Sequence, residues 1–200
     1  MAAEDMPDDT AGDRDGAARA ALKARQGKGA RYDAARAPAE DLLLARRGTA
    51  YFARKLMELP DADLSGPSAL PGLTRAHVVA RVSYAARHEA LALEALAGGD
   101  EGSGVGAIPQ LPEALPSPDL AATLPARALR HLFHHSAVHL NVCWRDLTDA
   151  DWDRQITLPD GSITTPRTLP RRRARHIWQA AIDLANGARP QDIPKYLRNA

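Results

Sequence analysis

Histidines dominate the residues whose type and spacing could do chemistry. His131, His135 and His139 recur at four-residue steps, with His134 beside them, so on a helix the three share one face. Two imidazoles one turn apart can chelate a metal ion. No third acidic or thiol ligand is evident near them in sequence, and histidines packed at a helix seam are the plainer reading. Cys143 follows His139 by one turn, a spacing that allows a thiol–imidazole pair. Its setting in LNVCWRDL favours a buried structural thiol. Arg171, Arg172, Arg173 and Arg175 gather cations where a helix begins, against the macrodipole and at about 0.3–1 kcal/mol per charge. Either solvent carries them, or something anionic compensates: an acidic arm, or a substrate phosphate or carboxylate. Among the aromatic residues, Tyr51, Tyr84, Trp144, Trp152 and Trp178 read as core and cavity lining, with Tyr84 and Trp178 placed to touch a ligand.

The elements that position these residues follow from composition and periodicity. The chain has 200 residues, 26 Lys+Arg against 25 Asp+Glu, 44% hydrophobic content and 4% aromatic content. A net charge of +1 gives no global pull toward nucleic acid or acidic lipid. The apolar residues are largely Ala and Leu, which favours packed helices over sheets. One cysteine excludes an intramolecular disulfide framework. No run of about 18 apolar residues offers a membrane span, and the acidic N-terminus lacks a secretory pattern. A cytoplasmic protein is expected.

Residues 1–38 carry almost no large apolar side chains and read as a mobile arm, in which 16–25 permit a short helix. The bundle proper is expected over 39–200. Leu42, Ala45, Thr49, Phe52, Leu56 and Leu59 predict a first helix over 39–59, stopped by Pro60. A second is predicted over 75–97, with Thr74 as N-cap, a buried face through Val78, Val82, Ala85, Glu89 or Ala92, Leu93 and Leu96, and Arg81 on the edge of that face. The Gly- and Pro-dense stretch 98–123 reads as a long loop. A third helix over 125–147 carries the stripe Leu129, Phe133, Ser136, Leu140, Cys143 or Trp144, and Leu147. Alternation about Pro159-Asp160-Gly161 predicts a β-hairpin within 154–165, and a fourth helix follows over 167–186. The fold class is all-α: a four-helix bundle with a short hairpin before the last helix.

Four segments in order, APAEDLLLARRGTAYFARKLMELPDADL at 37–64, PSALPGLTRAHVVA at 67–80, LPARALRHLFHHSAVHLNVCWRDLTDADWD at 124–153 and RARHIWQAAIDL at 173–184, resemble the maleylpyruvate isomerase family. The resemblance implies a DinB-like bundle, use of mycothiol or a similar low-molecular-weight thiol, and a divalent metal held by two imidazoles and one carboxylate from facing helices. It also implies, in the larger isomerases, a C-terminal domain that adds active-site groups; none is expected here. The family's metal-ligand positions fall on Arg81, His176 and Ala180 of this chain. A permanent cation stands where a dication would sit and one ligand is absent, so no metal is expected at that place.

The site expected in its stead has Arg81 and His176 as catalytic residues, the first pairing with a substrate carboxylate and the second moving a proton near neutral pH. Tyr84, Trp178, His139 and Arg175 are the expected substrate-binding residues. The expected function is metal-independent isomerisation, cyclisation or addition/elimination of a small anionic metabolite, with no cofactor; a mycothiol-like thiol or zinc are the alternatives. Two rival readings are a non-catalytic scaffold with a closed cavity and a metalloenzyme built on the histidines of the third helix. Neither nucleic acid nor membrane is an expected partner, and a homodimer formed through helix faces is.

Overall fold

A computed structural model describes residues 17, 18, 20 and 21, 33–98, 117–158 and 161–198. Its long helices are α1 (Ala39–Met57), α2 (Arg75–Gly98), α4 (Ala126–Asp146) and α5 (Leu169–Asp183); the short α3 (Pro118–Ala121) and α6 (Lys195–Arg198) accompany them. The architecture is a helical bundle with one two-stranded antiparallel hairpin, β1 (Ile156–Thr157) and β2 (Ile163–Thr164), before α5. No helix among the described residues is long and apolar enough to cross a membrane.

Local chemistry explains the helix ends. In α1, Glu40 and Asp41 occupy the first turn and Arg54 and Lys55 the last, each complementing the macrodipole. Arg130 of α4 donates to the carbonyls of Leu56 and Leu59, satisfying groups that the end of α1 leaves open. Arg75 does the same for α5, donating to the carbonyls of Leu184 and Ala185. Ser117 caps α3 through its hydroxyl, which accepts from the Leu120 amide at 3.1 Å.

α1 packs mainly against α5, α2 mainly against α4, and α2 also meets α5, whereas α1 and α4 barely touch. That unequal packing leaves a groove between α1 and α4. The apolar stripe of α1 runs through Leu42, Ala45, Gly48, Phe52 and Leu56, with Gly48 where the sequence suggests Thr49. The reason is contact distance. A Cβ on Gly48 would lie 2.5 Å from Ile177 Cγ2 and 2.8 Å from Trp178 Cδ1, so only glycine lets α1 and α5 approach so closely.

The remaining elements differ from expectation mostly at their ends. α2 is buried on more sides than one stripe, with Val79, Ala80, Ser83, Tyr84 and Ala86 added to the expected face, because α3, α4 and α5 all pack on it. The hairpin is shorter than its alternating pattern, pairing only Ile156 with Thr164 and Thr157 with Ile163. The last long helix starts two residues late, since Pro166–Thr168 forms a 3₁₀ turn. It ends early, where Ala185 (φ 52°) and Gly187 (φ 75°) turn the chain left-handed. The end of the expected loop 98–123 holds α3; its positions 99–116 lie outside the described residues. Most of the expected arm 1–38 lies outside them too, although 17, 18, 20 and 21 are helical. Just ahead of α1, Ala34 is buried and the Arg36 amide donates to Asp149 at 2.8 Å.

Candidate active site

The groove between α1 and α4 opens into a cavity of about 510 Å³ whose least exposed lining residue is Arg173 of α5. Phe133, Leu140 and Trp144 give it apolar walls, and Arg46 and Arg145 line it as well. The three arginines are differently committed. Arg46 spans the groove, donating through Nε to Asn141 Oδ1 at 2.8 Å and through both terminal nitrogens to Asp33 at 2.6 and 2.7 Å. Arg145 pairs in bidentate fashion with Asp146 at 2.9 and 3.0 Å. Arg173 is 1% exposed; its Nη1 donates to the Val82 carbonyl at 2.9 Å and its Nη2 has no partner.

Two titratable groups share the surroundings of Arg173. Glu89 of α2 is 6% exposed and its Oε2 is unpartnered. Burial pushes its carboxyl up to about 7, although Arg173 and Arg172 pull the other way. His176, one turn after Arg172 and Arg173, is half-buried. Burial first, then the Arg173 and Arg172 charges, holds its imidazole down at about 4, so the ring is neutral at neutral pH. Burial also lowers Arg173 from its ordinary value, with Glu89 opposing the shift. The buried Arg173 cation is thus coupled electrostatically to a carboxyl titrating near neutrality and to a neutral imidazole, and of the three groups Arg173 is the one that lines the cavity. Such a set can bind an anion and exchange protons.

Sequence reasoning had not placed Arg173 or Glu89 in the site, yet both leave a trace in the spacing. Arg173, Ile177, Ala180 and Leu184 fall at i, i+4, i+7 and i+11, which sets Arg173 on the buried stripe of α5. Glu89 stands on the apolar face of α2, where an unpaired carboxylate is costly.

The residues singled out from sequence lie in separate surroundings. Arg81 is solvent-exposed, as is Arg175. The charges that His176 senses come from Arg173 and Arg172. Tyr84 is buried on α2, where burial raises its hydroxyl above the ordinary value. Trp178 stacks on Tyr51 with centroids 4.9 Å apart and donates to the Leu44 carbonyl at 3.2 Å. With Tyr51, Arg54, Lys55 and Arg189 it lines a second, shallower cavity. His139 meets Glu94 of α2, with Nε2 2.7 Å from Oε1. Nearby, Cys143 is buried, and burial together with the Glu94 and Asp146 carboxylates pushes its thiol up to about 12.

The donor set at the three positions where the resemblance implies metal ligands can be tested directly. It consists of an exposed guanidinium at Arg81, a half-buried imidazole at His176 and a buried methyl at Ala180. One imidazole of three does not fit a zinc-type centre.

Comparisons with known proteins agree with this architecture. The family model described as the mycothiol maleylpyruvate isomerase N-terminal domain matches residues 45–185. The crystal structure of the mycothiol-dependent maleylpyruvate isomerase superposes with a TM-score of 0.71 at 30% sequence identity, covering 80% of this chain and 65% of that one. The crystal structure of a histidine-to-alanine mutant of the mycothiol-dependent maleylpyruvate isomerase matches equally well. The chain thus spans slightly less than two thirds of the length of these solved relatives. No curated protein matches it. With a bundle, a hairpin and a family match that extends over most of its length, the chain belongs to the family of mycothiol maleylpyruvate isomerase N-terminal domains.

Proposed function

We propose that the chain is an isomerase-type enzyme that binds a small carboxylate-bearing metabolite in the cavity between α1 and α4 and rearranges it by proton transfer, without the metal that the family resemblance implies. The observation that carries this reading is Arg173. Its side chain lines the cavity and is buried, with one terminal nitrogen hydrogen-bonded and the other without a partner. An incoming carboxylate would meet that cation in a water-poor setting, where a charge-assisted hydrogen bond contributes about 1.5–3 kcal/mol. The neighbouring aspartates already engage Arg46 and Arg145, so Arg173 is the anchor best suited to an anion. Arg81 was the anchor expected from sequence; being exposed, it is the weaker candidate.

In this reading the proton chemistry falls to His176 and Glu89, which are coupled to Arg173 and are not themselves among the residues that line the cavity. A neutral imidazole can accept a proton from carbon or donate one to a developing oxyanion, and a carboxyl titrating near 7 can hold the proton between steps. The donor set at Arg81, His176 and Ala180 supports chemistry without the family metal.

The solved relatives are mycothiol-dependent maleylpyruvate isomerases, so the first assay is isomerisation of maleylpyruvate by the full chain, with and without mycothiol and with and without a chelator. Turnover that survives chelation and is lost in His176→Ala supports the proposal. Turnover abolished by chelation overturns metal independence. If neither maleylpyruvate nor a panel of small mono- and dicarboxylates binds or reacts, the substrate class is wrong.

A further inference from the structure

We propose that Glu94, His139 and Cys143 form a binding site for a zinc-class divalent ion at the seam between α2 and α4, apart from the Arg173 cavity and independent of the reading given for it. One donor atom from each of the three residues lies within 4.8 Å of the other two. His139 and Cys143 are one turn apart on α4 and therefore project from the same face. Glu94 comes from the facing helix, and α2–α4 is the most extensively packed pair in the bundle. All three donors thus stand on rigid elements, the arrangement that a metal site requires.

The chemistry of the set is selective. Thiolate, imidazole and carboxylate are the three ligand types that zinc accepts, with bonds of about 2.0–2.3 Å. Tetrahedral bonds of that length separate ligands by about 3.5 Å, so side-chain rotation of about 1 Å closes the observed triangle. His139 Nε2 already sits 2.7 Å from Glu94 Oε1, and its Nδ1 is buried without a partner. Binding would break the Cys143 S–H bond, form a sulfur–metal bond and pass the thiol proton to water. His139 would bind as neutral imidazole and Glu94 as carboxylate. A dication with one thiolate and one carboxylate is then neutral, which suits a half-buried seam. Glu94 is exposed, so it gives the ion an entry path and leaves a fourth position to water.

The same trio could instead be read as a thiol nucleophile with its base, but access argues against it. Cys143 is 9% exposed and lines neither of the cavities described above. A substrate needs a cavity there, whereas an ion needs only a gap. The site also differs from the position that the family resemblance implies, which lies between α2 and α5 rather than between α2 and α4.

The test uses the full chain and cobalt(II) alone, followed by zinc(II) as competitor. The sequence has a single cysteine, so a thiolate-to-cobalt charge-transfer band in the near ultraviolet reports on Cys143 and nothing else. The expected result is one cobalt per chain with that band, bleached by zinc. Cys143→Ser should abolish the band, and Glu94→Gln and His139→Ala should each weaken cobalt binding at least tenfold. Cobalt bound without the band would mean ordinary imidazole binding along the His131–His135 face, and would overturn the proposal. So would an absence of binding, or a Glu94→Gln variant of unchanged affinity. Because Glu94 is exposed, that variant keeps the test decisive even if Cys143→Ser folds poorly.

Discussion

Arg173 Nη1 donates to the Val82 carbonyl across the α2–α5 interface at 2.9 Å, although Val82 lies inside a helix where its carbonyl already has a partner four residues on. The guanidinium is therefore fixed to backbone, and the anion anchor proposed here inherits the rigidity of α2. Replacing Arg173 by Met keeps the volume and removes the charge. Affinity for a small carboxylate should fall about 10- to 100-fold, the worth of one charge-assisted hydrogen bond, when measured by calorimetric titration. Equal affinity in both proteins would show that the anion binds elsewhere.

Glu89 makes stability depend on pH in a defined direction. Its folded-state value of about 7 lies above the ordinary 4.5, so the folded chain holds this proton more tightly than the unfolded one. The contribution is fully present below about 4.5 and is lost as pH rises through 7. Glu89→Gln cannot ionise, so its melting temperature should gain on that of the parent between pH 5 and 8. A constant gap across that range would mean that Glu89 titrates normally.

His176 acts in the opposite direction. Its folded-state value of about 4 lies below the ordinary 6.5, so the unfolded chain binds the proton more readily. The stability that comes from keeping the ring neutral is present above 6.5 and is lost as pH falls toward 4. His176→Gln should flatten the acid side of the melting profile. Direct titration of the imidazole by NMR checks the cause, and a midpoint near 6.5 would refute it.

Gly48→Ala sets two effects against each other. Alanine improves helix propensity by about 0.8–1.0 kcal/mol, but its Cβ would fall 2.5 Å from Ile177 Cγ2 and 2.8 Å from the Trp178 ring. Overpacking costs about 1–3 kcal/mol. It should win, because Ile177 is fully buried and Trp178 is held by its hydrogen bond to Leu44. At about 2–4 °C per kcal/mol for a chain of this size, a melting temperature lowered by several degrees is expected. A rise would mean that α1 and α5 can separate cheaply.

These residues also show what was legible in the sequence. The stripe of α4, Leu129 through Phe133, Ser136, Leu140 and Cys143, appears in the structure as its spacing implies, since one helix face against one neighbour follows a 3.6-residue period. The bundle and its hairpin follow from such patterns. The site was harder to read because it depends on how far each helix is rotated. Arg171, Arg172, Arg173 and Arg175 look alike as text, yet at about 100° per residue they leave the helix in different directions, and only Arg173 is buried. Arg81 falls where the family resemblance implies a metal ligand and next to buried Val82, but α2 turns it to solvent. The Glu94–His139–Cys143 triangle was half visible, as an imidazole and a thiol one turn apart. Its third corner is 45 residues from His139 in sequence, and only the pairing of α2 with α4 reveals it.

The bond between Arg46 and Asp33 carries a consequence for how the chain is cut. Asp33 precedes α1, and both of its carboxylate oxygens accept from Arg46, which also reaches Asn141 across the groove. A fragment trimmed to the start of α1 would keep every long helix but strip Arg46 of its counter-ion. The cavity would gain one unit of positive charge while its walls stayed the same. Anion selectivity measured on such a fragment would belong to the fragment, because part of the cavity's valence is set by a residue outside the bundle.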